Sequence, residues 1–228
     1  MKSDLESVQY GGESGRVLIM TAVEAERQAV MRGIGASNLF DVHLAGFGPA
    51  AAAARTAAEL AKSDYGLVIS AGIGGGFVGK ADVGSTVIAD RIIAADLGSE
   101  TPDGFLSVDE LGFGSSVIMP DPELVQALMD AMQGAGITAN RGSILTVTTG
   151  TGSAETTAAL TARIGDATAE GMEGFGVATA AKLWELPVLE IRTISNAVGP
   201  RDRDAWRMKE AFAALETAGT MIRSVFAE

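Results

Sequence analysis

The stretch "RVLIMTAVEAERQAVMRG", residues 16–33, holds the pattern that decides the fold. Arg16 to Ala22 is a short apolar run of strand length. It passes without a linker into a helix-like segment whose first turn carries Glu24 and Glu26. The same alternation recurs down the chain. "DVHLAGF" (41–47) precedes a helix over 49–62 that opens on Pro49, where a missing N–H costs nothing. "YGLVISAG" (65–72) and "GSTVIADRIIAAD" (84–96) read as further strands, the second as one or two. A long Gly/Asp/Pro-bearing connection follows over about 97–120, then a helix over 121–134. "RGSILTVTTG" (141–150) is a strand entering a polar loop, and 153–165 and 171–185 have helical patterns. "PVLEIRTIS" (187–195) is a buried strand, and 204–227 a closing amphipathic helix. Alternation of this kind predicts an α/β fold with a mostly parallel sheet covered by helices. Runs apolar on both faces belong at the sheet centre. There is no internal repeat and no second-domain linker. The reading is a flexible N-terminal tail over 1–15 and a single domain over 16–228.

Composition narrows the function classes. Of 228 residues, 47% are hydrophobic and 20% charged, which makes a packed globular chain. No apolar run reaches the roughly 18 residues of a membrane span. The segment "MKSDLESVQYGGESG" lacks the apolar stretch of a signal peptide. A net charge of −12 argues against nucleic acid or anionic lipid as partner. With no cysteine, disulfides and thiolate zinc sites are excluded, and a cytoplasmic location is expected. The single histidine, His43, lies within the second strand and reads as a satisfied or lining residue.

Ligands of open α/β sheets bind outside the carboxyl ends of the strands, so the loops after 22, 46, 72, 147 and 194 carry the chemistry. Glu24 and Glu26 either complement a helix dipole or supply a general base. The glycines of "AGFGPA" (45–50) and "SAGIGGGF" (70–77) either pack tightly or let backbone approach a ligand. "GIGGG" lacks the Lys-Ser/Thr ending of a phosphate loop. "TVTTGTGS" (146–153) is either a pocket lining or a turn in which Ser153 caps a helix. In "AEGMEGFGVATAA" (169–181), Glu173 enters an apolar helix and needs partners, because burying a lone carboxylate is costly. It is either a helix-terminal acid or a ligand for donors such as ribose hydroxyls.

Together, "AVEAE", "GFGPAAAA", "SAGIGGG", "GMEG" and "RTISNAVG" resemble the nucleoside phosphorylase/hydrolase superfamily, from about Arg16 to the C-terminus. Within it the chain is similar to the nucleosidases typified by methylthioadenosine/S-adenosylhomocysteine nucleosidase. The resemblance implies a three-layer α/β/α sandwich with a mixed central sheet. It places Glu26 as the carboxylate that activates the attacking water and Glu173 on the ribose hydroxyls, with Met172 against the sugar. Phe47, Ile73 and Gly74 would line the substrate, and Thr151 would lie near the loop whose backbone reads the purine. Trp206 would wall the base or 5′ side. It implies no metal or organic cofactor, a small-molecule purine nucleoside as partner, and a homodimer or higher homo-oligomer. The 97–120 connection is then the candidate loop for completing a neighbour's pocket.

One departure selects the substrate class. Adenine-specific nucleosidases have aspartate after "IS", where this chain has Asn196. An amide can donate to a 6-oxo group and accept from a protonated N7, which matches hypoxanthine or guanine. The run "ISNAVGPRDRDAW" (194–206) resembles the futalosine-hydrolysing subfamily, whose substrate extends inosine with a benzoate. A benzoate accounts for Arg201, Arg203 and Arg207, of which Arg203 is the chosen candidate, since guanidinium binds carboxylate bidentately. The alternative for these arginines is a solvated helix start balanced by Asp202 and Asp204. Other activities to weigh are a methylthioadenosine/S-adenosylhomocysteine or aminodeoxyfutalosine nucleosidase, a purine nucleoside phosphorylase, and a non-catalytic nucleoside-binding protein.

Overall fold

The computed structural model describes residues 15–227, so all of the expected N-terminal tail but Gly15 lies outside the described residues. The chain runs β1 (Val17–Thr21), α1 (Glu24–Ile34), β2 (Phe40–Leu44), α2 (Pro49–Leu60), β3 (Leu67–Gly76) and β4 (Thr86–Ala94). Then come β5 (Gly98–Thr101), β6 (Gly104–Ser107), β7 (Val117–Ile118), α3 (Pro122–Gly134) and β8 (Ala139–Thr146). It closes with α4 (Ala154–Arg163), β9 (Ala167–Gly171), α5 (Gly174–Leu183), β10 (Val188–Ala197) and α6 (Met208–Phe226).

These elements form the expected three layers around a mixed eight-stranded sheet. The pairs β1–β2, β1–β3, β3–β10, β4–β8 and β8–β9 are parallel. The pairs β4–β10, β3–β9 and β4–β7 are antiparallel. One face packs Ile69, Leu189 and Ile191 against α1, α3 and α6, burying Val30, Leu128 and Ile222. The other packs Val68, Val87 and Ile194 against α2 and α5, burying Ala52 and Val177. A third cluster joins Phe77, Leu145, Val147 and Val198 with Leu160 of α4. Along one edge of β3, β1 pairs with residues 67–70 and β9 takes over at Gly75 and Gly76. Strands β3, β10, β4, β8 and β9 therefore close into a ring, each paired with the next.

Four local expectations are corrected. The 97–120 connection is not structureless: β5 and β6 make an antiparallel hairpin, and β7 adds to β4. The strand β9 has no apolar run to announce it, because its "ATAEG" is small and polar. The third strand does not stop at Gly72 but continues through the glycines to Gly76. A Cβ at Gly74 would stand 2.5 Å from the carbonyl oxygen of Glu170, and one at Gly76 2.3 Å from that of Ala81. These glycines are strand residues crowded by neighbouring backbone. The last helix begins at Met208 rather than 204, leaving "RDRDAW" in the turn before it. Among the described residues no helix is long and apolar enough to cross a membrane.

Candidate active site

The parallel strands β1, β3 and β10 end on one side, and four polar side chains converge there. Glu26 stands in the first turn of α1 and is buried. Its Oε2 accepts from the backbone N–H of Ala22 (2.8 Å) and Val23 (3.2 Å), so this oxygen caps the helix. Its Oε1 reaches across to β3 and accepts from Ile73 N–H at 2.9 Å. Burial pushes the Glu26 carboxyl above its ordinary value, while Arg192 and the backbone donors pull it back in part. An oriented carboxylate with a raised pKa suits a general base working near neutral pH.

Glu173 occupies the N-cap position of α5, yet its side chain does not cap the helix. Its Oε1 accepts from Gly48 N–H at 3.2 Å, which ties α5 to the loop after β2. Its Oε2 faces Arg192 Nη1 at 3.4 Å. Arg192, on β10, is fully buried; its Nε donates to Glu190 Oε1 at 2.9 Å and its Nη2 to Ser70 Oγ at 3.0 Å. Burial works against the guanidinium charge, but Glu190, Glu173 and Glu26 outweigh it and raise its pKa. Glu190 is itself pushed up by burial, against the pull of Arg192. The empty Cβ position of Gly72 lies 2.6 Å from Arg192 Nη1 and 2.7 Å from Glu26 Oε1. A side chain at Gly72 would displace both, so the glycine is what lets the Glu26 carboxylate and the Arg192 guanidinium meet.

Asn196 lies within β10, not in a loop after it. A bulge follows Ile194: Ile194 pairs with Gly74 and Asn196 with Gly75, leaving Ser195 as the extra residue. Ser195 Oγ donates to Asn196 Oδ1 (2.8 Å), and Asn196 Nδ2 donates to Ala197 O (2.9 Å). Those bonds fix the amide's orientation. They leave it one further proton and one further lone pair, since the group has two of each.

Thr151 meets the site through Glu170: its N–H donates to Glu170 Oε1 at 2.9 Å and its hydroxyl to Oε2. Met172 is half-buried against the cluster that contains Val198. The loop after β8 and the turn after β10 are joined by Arg201 N–H to Gly152 O at 3.3 Å. Arg207 N–H donates to Ser195 O at 2.8 Å, which brings Trp206 up to the end of β10. The guanidinium groups of Arg201 and Arg203 lie over the Trp206 ring, 5.2 and 5.9 Å from its centroid. Arg207 Nη1 donates to the carbonyls of Asp204 and Trp206. Phe47, beside Gly48, is 69% exposed. His43 stands apart on β2, with Nδ1 3.8 Å from Glu59 Oε2.

Three residues at this site were not singled out from sequence: Arg192, Glu190 and Glu170. A signal for two of them was present. "EIR" within the apolar run "PVLEIRTIS" puts opposite charges at i and i+2, on one strand face, inside a buried strand. Glu170 gave none, because it sits in a strand that its own sequence does not announce.

Residues 3–226 match the family described as Phosphorylase superfamily. The chain is 49% identical over 222 residues to a futalosine hydrolase of Streptomyces coelicolor, spanning 89% of this chain and 92% of that protein. It is 43% identical over 221 residues to a futalosine hydrolase of Acidothermus cellulolyticus, spanning 88% and 90%. Among solved structures, the 5′-methylthioadenosine/S-adenosylhomocysteine nucleosidase of Helicobacter pylori, crystallised with butyl-thio-DADMe-Immucillin-A, superposes with a TM-score of 0.79. That match covers 92% of this chain and 97% of the other at 16% identity, a likeness of fold.

Proposed function

This chain belongs to the phosphorylase superfamily, and from that premise we propose that it is an N-glycosyl hydrolase cleaving futalosine to hypoxanthine and dehypoxanthinyl futalosine, a step of menaquinone biosynthesis. The curated relatives at 49% and 43% identity support the substrate. The observation that carries the chemistry is the meeting of two carboxylates, Glu26 and Glu173, on the buried Arg192, at the strand ends that also hold Asn196.

In this reading the bond from C1′ to the base nitrogen loosens first: its electron pair leaves with the purine, which takes its proton from water, and C1′ becomes an oxocarbenium-like centre. Water adds to C1′, and Glu26 takes its proton. Glu173 accepts from the ribose hydroxyls and supports the developing positive charge. Arg192 favours the ionised form of Glu26 against the effect of burial and holds Glu173 in place. Asn196 donates its free N–H to the departing 6-oxopurine. Electrostatic preorganisation of this kind is the larger share of catalysis, and general-base help adds about 10²–10⁴-fold. Phe47, Ile73, Gly74, Met172 and Trp206 line the nucleoside, and Arg203 is the candidate for its 5′ carboxylate. An oligomer belongs to the same reading, because the 97–120 segment carries the exposed Phe113 and Met119.

The test is a substrate panel of futalosine, aminodeoxyfutalosine, inosine and methylthioadenosine, with and without phosphate. Hypoxanthine release from futalosine without phosphate is expected. Dependence on phosphate would make the enzyme a phosphorylase, and preference for the 6-amino compounds would overturn the choice of base.

A further inference from the structure

Glu170 is a buried carboxylate that the mechanism above does not use. It pairs with Gly75 across the β3–β9 ladder. Gly75 pairs on its other edge with Asn196 of β10. Residues opposite one another in register project to the same face of a sheet. Glu170 and Asn196 therefore stand on one face, on either side of a residue with no side chain. The empty Cβ position of Gly75 lies 3.5 Å from Asn196 Nδ2. The bulge at Ser195 is what brings this about, since an unbroken register would set Ser195 opposite Gly75. Two strand spacings, about 10 Å, separate the two backbones. A flat bicyclic base can bridge that span with hydrogen bonds from both side chains.

We propose that Glu170 is a second base-reading residue, accepting the N1–H of a 6-oxopurine while Asn196 reads its O6/N7 side. This rests on the 6-oxopurine reading of the proposed function and deepens it. Two donors from Thr151, its N–H and its hydroxyl, hold the carboxylate, one on each oxygen. Each oxygen keeps a second lone pair. A 6-oxopurine carries a proton on N1 and satisfies such a lone pair. A 6-aminopurine has a lone pair at N1 and meets an acceptor with an acceptor. The loop N–H that could have served that lone pair is already given to Glu170. Glu170 thus rejects the 6-amino base at a different atom from Asn196, and the preference has two independent parts.

The test measures binding of the free bases hypoxanthine, adenine and 1-methylhypoxanthine to the full chain by calorimetry, and their competition with futalosine turnover. For the wild-type protein, hypoxanthine is expected to bind most tightly. Glu170→Gln keeps an oxygen for Thr151 N–H but turns an amino group toward the base. It is expected to weaken hypoxanthine about 10–10²-fold, the loss typical of a charge-assisted hydrogen bond, and to weaken adenine little or not at all. Equal weakening of both bases would overturn the proposal in favour of a purely structural Glu170. A second measurement needs no variant: 1-methylhypoxanthine has no N1–H and is expected to bind wild type at least about tenfold more weakly than hypoxanthine. Equal binding of those two would overturn the proposal whatever the variant does. A wild-type preference for adenine would remove the 6-oxopurine reading itself. Retained hypoxanthine preference in Glu170→Gln would remove only the role of Glu170.

Discussion

Arg192 Nε donates to Glu190 Oε1 over 2.9 Å, two residues apart on β10, with both side chains fully buried. The pair is the floor of the site, because the same guanidinium reaches Glu173 and Ser70. Removing one partner of a buried pair leaves an uncompensated charge and costs about 3–5 kcal/mol. Arg192→Met is therefore expected to lower stability by that amount in chemical denaturation at neutral pH. Unchanged stability would mean that the guanidinium is not what compensates the buried carboxylates around it.

Glu26→Gln separates chemistry from binding. Its steady-state rate constant is expected to fall about 10²–10⁴-fold, the range for a lost general base. KM and the affinity for hypoxanthine should change little. A variant that turns over like wild type would remove Glu26 from the mechanism.

The acid limb of the pH profile follows from the same carboxyl. Glu26 must be ionised to take a proton, and burial raises its pKa above 4.5. The half-point of kcat/KM on the acid side is thus expected above pH 4.5. Stability has the opposite sign. A raised folded-state pKa means that the fold favours the neutral form, so this contribution is full below the unfolded pKa and is lost as pH rises through the folded one. Denaturation of wild type and Glu26→Gln across that window should show wild type losing ground to the variant as pH rises.

Asn196→Asp tests the base reader. A carboxylate loses the N–H that the 6-oxo group accepts, whereas its protonated form donates to N7 and accepts from a 6-amino group. The ratio of kcat/KM for futalosine over aminodeoxyfutalosine is expected to fall by about 10²-fold or more. An unmoved ratio would show that the amide does not face the base.

Gly174→Ala probes how tightly the floor is packed. A Cβ there would stand within about 2.1 Å of the Glu190 carboxylate. Overpacking of this kind costs about 1–3 kcal/mol or more, and the pair beneath should shift with it. Gly150→Ala, where nothing lies within 4 Å, is the control and should be near neutral. Equal melting temperatures for the two variants would mean that the floor yields.

The sequence made the layers legible because alternating strand and helix periods leave few architectures open. It also pointed to Glu26, Glu173 and Asn196, which the fold sets in the first turn of α1, at the start of α5 and near the end of β10. What it hid is of two kinds. Strand β9 consists of small and polar residues, so no hydrophobic period marks it, and Glu170 was lost with it. Arg192 was hidden inside a strand whose other residues are mostly apolar. Its partners Glu173 and Ser70 lie far off in the chain, so the compensation that permits its burial exists only in three dimensions.

Closure of the strand ring governs when a working enzyme can exist. The longest-range link of the ring joins Gly75 of β3 to Asn196 of β10, and bringing such distant segments together requires most of the intervening chain to be in place. Contacts of that range form slowly. Asn196, the proposed base reader, lies on this link, so purine binding is expected only once it has formed. Recovery of catalysis during refolding is then expected to report this strand pairing and to run behind the recovery of helical signal.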